Sequence, residues 1–185
     1  MYEGSFVNGK KDGEGTYTWK DKQTYTGQWY NDSRCGHGIH KWPSGSKYDG
    51  KWSAGKMHGH GERSWPDGRS YVGEMFADKK HGKGKYTWKN GDTYDGEWQR
   101  GVENGHGEFI TAPTKSGGFF GVQMTQKYTG NWVNGMRHGD GVRLDSDHYT
   151  YDGSWKDDKR HGYGHEAFPN GKIYDGQFVL GLRQG

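Results

Sequence analysis

The side chains best suited to chemistry recur on a fixed beat. Ten of the 185 residues are histidine, and His37 and His60, His58 and His81, and His138 and His161 each stand 23 apart. Imidazoles are common zinc ligands, but zinc gathers its donors within roughly 2.0–2.3 Å of one centre. Residues one beat apart on neighbouring hairpins lie about 9.6 Å apart, two strand spacings. His58 and His60 lack a carboxylate or thiolate to complete a set, so no metal and no other cofactor is expected. Seven Gly-x-Gly pairs run from Gly13/Gly15 to Gly162/Gly164. A phosphate-binding loop would need to open a helix or be followed by Gly-Lys-Ser/Thr, and neither context occurs. No Ser/His/Asp or Cys/His set shares a plausible geometry, so no catalysis is expected. Cations follow the same beat: Lys10, Lys11, Arg34, Lys56, Lys79, Lys80, Arg137, Lys159 and Arg160. Placed along one edge, they would suit an anionic lipid surface, each adding about 1 kcal/mol. They would equally protect a sheet edge from aggregation.

These groups sit in a repeat. Tyr recurs at 2, 25, 48, 71, 94, 128, 151 and 174, at spacings of 23 except for one of 34. With Tyr as position 0, position +2 is always Gly. Position +4 is Phe6, Trp29, Trp52, Met75, Trp98, Trp132, Trp155 or Phe178. Positions +11 and +13 are the paired glycines, and +17 is Trp19, Trp42, Trp65, Trp88, Thr111, Asp145 or Phe168. The 34-residue spacing leaves an insertion of 11 residues (34 − 23) within Glu108–Lys127.

Each unit predicts two strands. Tyr-x-Gly-x-Trp alternates aromatic or Gly with polar residues, as a strand with one packed and one wet face requires. Asn8-Gly9 and Asn134-Gly135 then favour two-residue hairpins with positive φ at both centres. Pro43-Ser44-Gly45, Pro66-Asp67-Gly68 and Pro169-Asn170-Gly171 favour three-residue loops with Gly in the left-handed position. One loop of each parity keeps Tyr, Trp and all three glycines on one face. The expectation is an all-β, single-layer antiparallel meander solenoid, curled into a half-pipe. Trp at +4 should lie opposite a Gly of the preceding strand, and Trp at +17 opposite the next unit's Tyr.

Composition agrees. Glycine is 35 residues, whereas Val, Ile, Leu and Phe together are only 20. The 29 aromatics (9 Trp, 13 Tyr, 7 Phe) and net charge of +3 argue against disorder. Rings packed over glycines must supply the burial. The single Cys35 fits a reducing compartment. The weak positive balance gives no case for nucleic acid.

The pattern YxGxWxxGxxxGxGxxxxxxGxx resembles the MORN (membrane occupation and recognition nexus) repeat family, over residues 1–185. The resemblance implies a non-enzymatic scaffold, cytoplasmic and associated with the cytoskeleton, cilium or flagellum. A phosphoinositide or membrane-surface module, peripheral at a membrane, is one alternative. The regulatory arm of a lipid kinase or lysine methyltransferase is another. The chain is expected to be a segment of a longer array. A partner helix or extended peptide is expected in an aromatic groove made by Tyr25, Trp29, Trp42, Tyr48, Trp52, Trp65, Tyr71, Trp88, Tyr94, Trp98, Tyr128, Trp132, Tyr151 and Trp155. Homodimerisation is expected at an open edge carrying Tyr174, Gln177, Phe178 and Leu180. The insertion offers Phe119, Phe120, Val122 and Met124 as a further contact.

Overall fold

The computed structural model describes residues 1–115 and 123–184. The fold is all-β. The chain divides into two compact units, Met1–Lys89 and Asn90–Gly185.

The first unit holds β1 (Tyr2–Val7), β2 (Lys10–Thr18), β3 (Thr24–Tyr30), β4 (Ser33–Lys41), β5 (Lys47–Ser53), β6 (Lys56–Ser64), β7 (Ser70–Phe76) and β8 (Lys79–Thr87). Within the unit, consecutive strands from β1 to β8 pair antiparallel in sequence order. The second unit holds β9 (Thr93–Gln99), β10 (Val102–Ile110), β11 (Thr114–Lys115), β12 (Gln123–Met124), β13 (Gln126–Val133), β14 (Met136–Asp145), β15 (Thr150–Lys156), β16 (Lys159–Ala167), β17 (Ile173–Val179) and β18 (Leu182–Gln184). It is a meander of the same kind, with β13 paired to β10. The short strands β11 and β12 pair with each other, extending the β10–β13 hairpin.

The turns follow their chemistry. Asn8 and Gly9 have φ of 50° and 76°, and Asn134 and Gly135 have 52° and 80°, the positive pair that a two-residue hairpin requires. At the three-residue loops, the Trp42 N–H donates to the Ser46 carbonyl, and Gly45 takes φ 85°.

A bulge in each repeat was not foreseen. Gly50 faces Gly61, yet Trp52 faces Met57, so two extra residues enter β6 there. The same slip separates Gly27/Gly38 from Trp29/Arg34. The first glycine of each pair turns the bulge: Gly36 has φ 54° and Gly59 has φ 63°. It is therefore a backbone requirement first. The second glycine is the one that lies beneath a tyrosine.

The core is a row of rings standing on glycine. In the first unit Trp29 meets Tyr2 and Tyr25 edge to face, with centroids 5.6 and 5.1 Å apart, and Trp52 meets Tyr25 and Tyr48, both at 5.3 Å. In the second, Tyr128 lies between Trp132 and Trp155 at 5.2 Å each. Such pairs prefer this geometry. Trp29 faces Gly13, Trp52 faces Gly36 and Trp155 faces Gly139, as expected. The indole N–H of Trp52 donates to the Gly38 carbonyl at 2.9 Å, and that of Trp155 to Gly141 at 2.9 Å. The phenol of Tyr48 donates to the Lys51 carbonyl at 3.1 Å, and Tyr151 to Ser154 at 2.9 Å. Those carbonyls sit beside the bulge, where the strand ladder is interrupted. The tyrosine hydroxyl supplies the missing donor.

Candidate functional site

Eleven of the fourteen groove aromatics are buried by the chain itself: Tyr25, Trp29, Tyr48, Trp52, Tyr71, Tyr94, Trp98, Tyr128, Trp132, Tyr151 and Trp155. Burial pushes the Tyr48 and Tyr151 phenols up to about 12. The remaining three, Trp42, Trp65 and Trp88, are half-buried. All three occupy position +17, and Trp19 belongs to the same row. The half-buried tryptophans of the first unit form this row, while Phe6, Tyr30 and Phe76 are exposed outside it.

The row does not sit where expected. Position +17 closes the three-residue loop: Trp19 bonds to Gln23, and Trp65 to Arg69. The residue facing the next tyrosine is +15, as in Tyr17 opposite Tyr25 and His40 opposite Tyr48. A parity argument fixes the face but not a slip of two residues. Position +15 thus holds functional candidates that the sequence reading passed over: Tyr17, His40, Arg63, Tyr86, Phe109, Arg143 and Glu166. Its parity, shared with the glycines, was the available signal.

The polar members of this position are handled differently. His40 is buried, with Nδ1 3.0 Å from an Arg34 guanidinium nitrogen and Nε2 3.0 Å from Gln23 Oε1. The first contact makes Nδ1 the acceptor and Nε2 the donor, so the ring is neutral. Burial, reinforced by Arg34, pushes it down to about 4. Arg143 holds Asp145 bidentately at 2.9 and 2.7 Å. Glu166, also buried, receives the Tyr149 hydroxyl at 2.5 Å, Arg183 at 2.8 Å, and Arg160. Burial would raise its carboxyl, but these donors outweigh it and hold it below the usual range. The Arg63 side chain has no ion pair or hydrogen bond among the described residues, and its Nε is buried without a partner. Its guanidinium lies over Trp42 and Trp65, 5.0 and 4.7 Å from the ring centres. An open pocket of about 480 Å³ adjoins it, lined also by Ser44, Ser46, Asp67 and Arg69.

The nine cations do not form one edge. Strand alternation sends +8 and +9 to opposite faces. Lys10, Lys56, Lys79 and Lys159 are exposed at +8. Lys11, Arg34, Lys80, Arg137 and Arg160 turn onto the aromatic face. Arg34 lies 4.2 Å over Trp52, Arg137 lies 4.5 Å over Trp155, and Lys80 lies 4.1 Å over Tyr86. Lys11 pairs with Asp32 at 2.8 Å and Arg137 with Asp158 at 3.0 Å. Their role here is cation–π cover for the ring row.

The expected dimer edge is also revised. Strand β18 pairs with β17, setting Gln177 opposite Gln184 and Phe178 opposite Arg183. Phe178 is fully buried, the Tyr174 hydroxyl lies 2.9 Å from the Gln184 carbonyl, and Leu180 sits in the exposed turn between the strands. The β17 backbone is therefore already taken from Gln177 to Val179. Phe119, Phe120 and Val122 lie outside the described residues, and Met124 is placed only as a member of β12.

His58 and His81 flank the exposed Phe76 ring at 5.1 and 5.6 Å. They stand at the bulges, as turn-register residues. Among the described residues no three of His, Cys, Asp or Glu gather closely enough to hold a metal. Among the described residues no helix is long and apolar enough to cross a membrane.

A family model described as MORN repeat matches residues 2–24, 25–47, 48–68, 71–93, 94–112, 128–148, 151–173 and 174–185. A comparison with curated proteins finds no match.

Proposed function

The chain belongs to the MORN repeat family, and on that premise we propose that it is a non-enzymatic scaffold that seats a partner segment on the +17 tryptophans of its first unit. Repeats of this family form protein-interaction modules and are generally non-catalytic. The observation carrying the finer reading is the division of the aromatics. Apart from Tyr2, Phe6 and Tyr174 in the terminal repeats, the Tyr and +4 rings are consumed in packing, while Trp42, Trp65 and Trp88 stay half open at successive repeats. Successive members stand two strands apart, about 9.6 Å. That is close to seven residues of helix at 1.5 Å each, or about three of an extended peptide. A helical segment with apolar residues at heptad spacing matches the row. The second unit has Thr111, Asp145 and Phe168 at this position, so the footprint belongs to the first. Repeats spanning nearly all of the chain support a place in cytoskeletal or axonemal assembly.

The test is Trp42→Leu with Trp65→Leu. Peptides selected from a random display library on the wild-type chain should lose at least tenfold in affinity for the double variant, while circular dichroism stays unchanged. Equal affinity would refute the reading.

A second reading has its own observation. Lys10, Lys56 and Lys79 are exposed on the face opposite the rings in the first unit. At about 1 kcal/mol each near an anionic surface, they support weak peripheral membrane contact. The aspartates at Asp12, Asp32 and Asp78 oppose it.

A further inference from the structure

Arg63 is an anomaly within the protein's own repeats. Where position +15 is polar elsewhere, the chain supplies a counterpart. His40 receives Arg34 from +9. Arg143 receives Asp145 from +17. Glu166 receives Arg160 from +9, Arg183 from the following repeat and Tyr149 from the loop. Around Arg63 each of those places is filled otherwise. Position +9 is Met57, buried and apolar, and position +17 is Trp65. The next +9 residue is Lys80, a second cation; the loop residue in the place of Gln23 and Tyr149 is Ser46, a neutral hydroxyl, and Arg69 in the following loop is a third cation. Asp67 is bound to Arg69 through Nε at 3.1 and 2.9 Å. Asp78 favours the charged guanidinium from a distance but forms no ion pair with it among the described residues.

A guanidinium held between two indoles has lost part of its hydration. Restoring a charge-assisted hydrogen bond there is worth more than on an open surface. We propose that the pocket bounded by Trp42, Arg63, Trp65 and Arg69 takes the carboxylate of an acidic residue in the partner peptide, with Arg63 as its charge partner. This rests on the reading that a peptide lies on the +17 row, and it adds the chemistry of that peptide. The geometry favours a single carboxylate. Asp67 cancels one of the two pocket arginines, leaving one positive charge. A phosphate monoester carries about −1.5 to −2 and would face the Asp67 carboxylate uncompensated. The indole walls suit the methylenes of Glu, and Ser44 and Ser46, whose hydroxyls bond each other at 3.0 Å, also line the pocket. At about 480 Å³ the pocket holds a side chain together with its flanking backbone.

The test selects 12-residue peptides from a random display library on the full 185-residue chain. The selected peptides are then measured by fluorescence anisotropy. An Asp or Glu is expected at a fixed place relative to the apolar anchors. Changing that residue to its amide should weaken binding about tenfold, the loss of one charge-assisted hydrogen bond. Arg63→Gln should weaken the acidic peptide by a similar factor and leave the amide peptide unchanged. The amide exchange needs no change in the protein, so a poorly folded variant does not blunt the test. Peptides that bind but carry no acidic residue, or whose amide form binds equally well, overturn this inference and leave the scaffold reading standing. Failure to select any peptide overturns both. If phosphoinositide vesicles sediment the wild-type chain but not Arg63→Gln, and no acidic residue is selected, the occupant is a headgroup and the inference falls.

Discussion

Substituting Gly61 by Ala should destabilise the protein by about 2–4 kcal/mol, with the sign opposite to that of a neutral site. Gly61 is the second glycine of its repeat, facing Gly50 on one side and Gly73 on the other. Its φ is not in the left-handed region, so backbone strain contributes nothing. Where space allows, Gly→Ala stabilises by about 0.4–1 kcal/mol through the unfolded chain. Here a methyl group would lie 2.6 Å from Cζ and 2.7 Å from Cε2 of Tyr48, and against its hydroxyl. That ring cannot swing aside. It is fully buried and meets Trp52 edge to face at 5.3 Å. Overpacking of this kind costs about 1–3 kcal/mol. Displacing the phenol from the Lys51 carbonyl adds about 1 kcal/mol. At roughly 2–4 °C per kcal/mol for a chain of this size, the melting temperature should fall by about 4–16 °C. Urea unfolding followed by tryptophan emission and circular dichroism would measure it. The same substitution in a Tyr48→Leu background should be close to neutral, because the obstructing ring is gone. An equal loss in both backgrounds would refute the ring-on-glycine account. So would a stabilised Gly61→Ala.

Three further outcomes follow from the polar positions. His40 titrates at about 4 folded and about 6.5 unfolded, so its contribution to stability is complete above pH 6.5. It should be lost progressively towards pH 4, by about 2–3 kcal/mol. His40→Tyr, which copies Tyr17 and Tyr86, should flatten that stretch of a urea-midpoint-against-pH curve. Glu166→Gln should leave Arg160 and Arg183 without their buried carboxylate, cost about 2–4 kcal/mol, and loosen β18. Faster amide exchange at Leu182 and Arg183, with β15 unchanged, would register it, and unchanged exchange would refute the clasp. Replacing Lys10, Lys56 and Lys79 by Gln should remove binding to anionic vesicles while peptide affinity is retained. Vesicle binding that survives this triple change would exclude the lysine face as its source.

The parts of the fold that were legible in the sequence are those governed by single-residue chemistry. Asn8-Gly9 and Pro66-Asp67-Gly68 specify their turns, and Tyr-x-Gly-x-Trp specifies a face by alternation. The bulge was hidden because inserting two residues preserves parity. Tyr48 and Gly61 share a face with or without it, and only the register of Trp52 against Met57 reveals it. The accessible row was misplaced for another reason: a three-residue loop over Pro66–Gly68 pairs Trp65 with Arg69, which sets Arg63 and not Trp65 opposite the next tyrosine. The cations misled for a related reason. Lys10 and Lys11 are adjacent in sequence but point to opposite faces, and only one belongs to the solvent. The variety at +15, from Phe109 to Glu166, obscured a structural position that matters as much as the repeated ones.

Seating phenols on glycine has a covalent consequence. Tyr25, Tyr48, Tyr94 and Tyr151 show no accessible surface, and burial pushes the Tyr48 and Tyr151 phenols up to about 12. A kinase, a nitrating agent or an iodinating enzyme will find those rings closed for as long as the sheet is intact. Tyr30 and Tyr163, on the outer face at 69 % and 61 % exposure, are where such marks will land, and labelling at the other four will report unfolding.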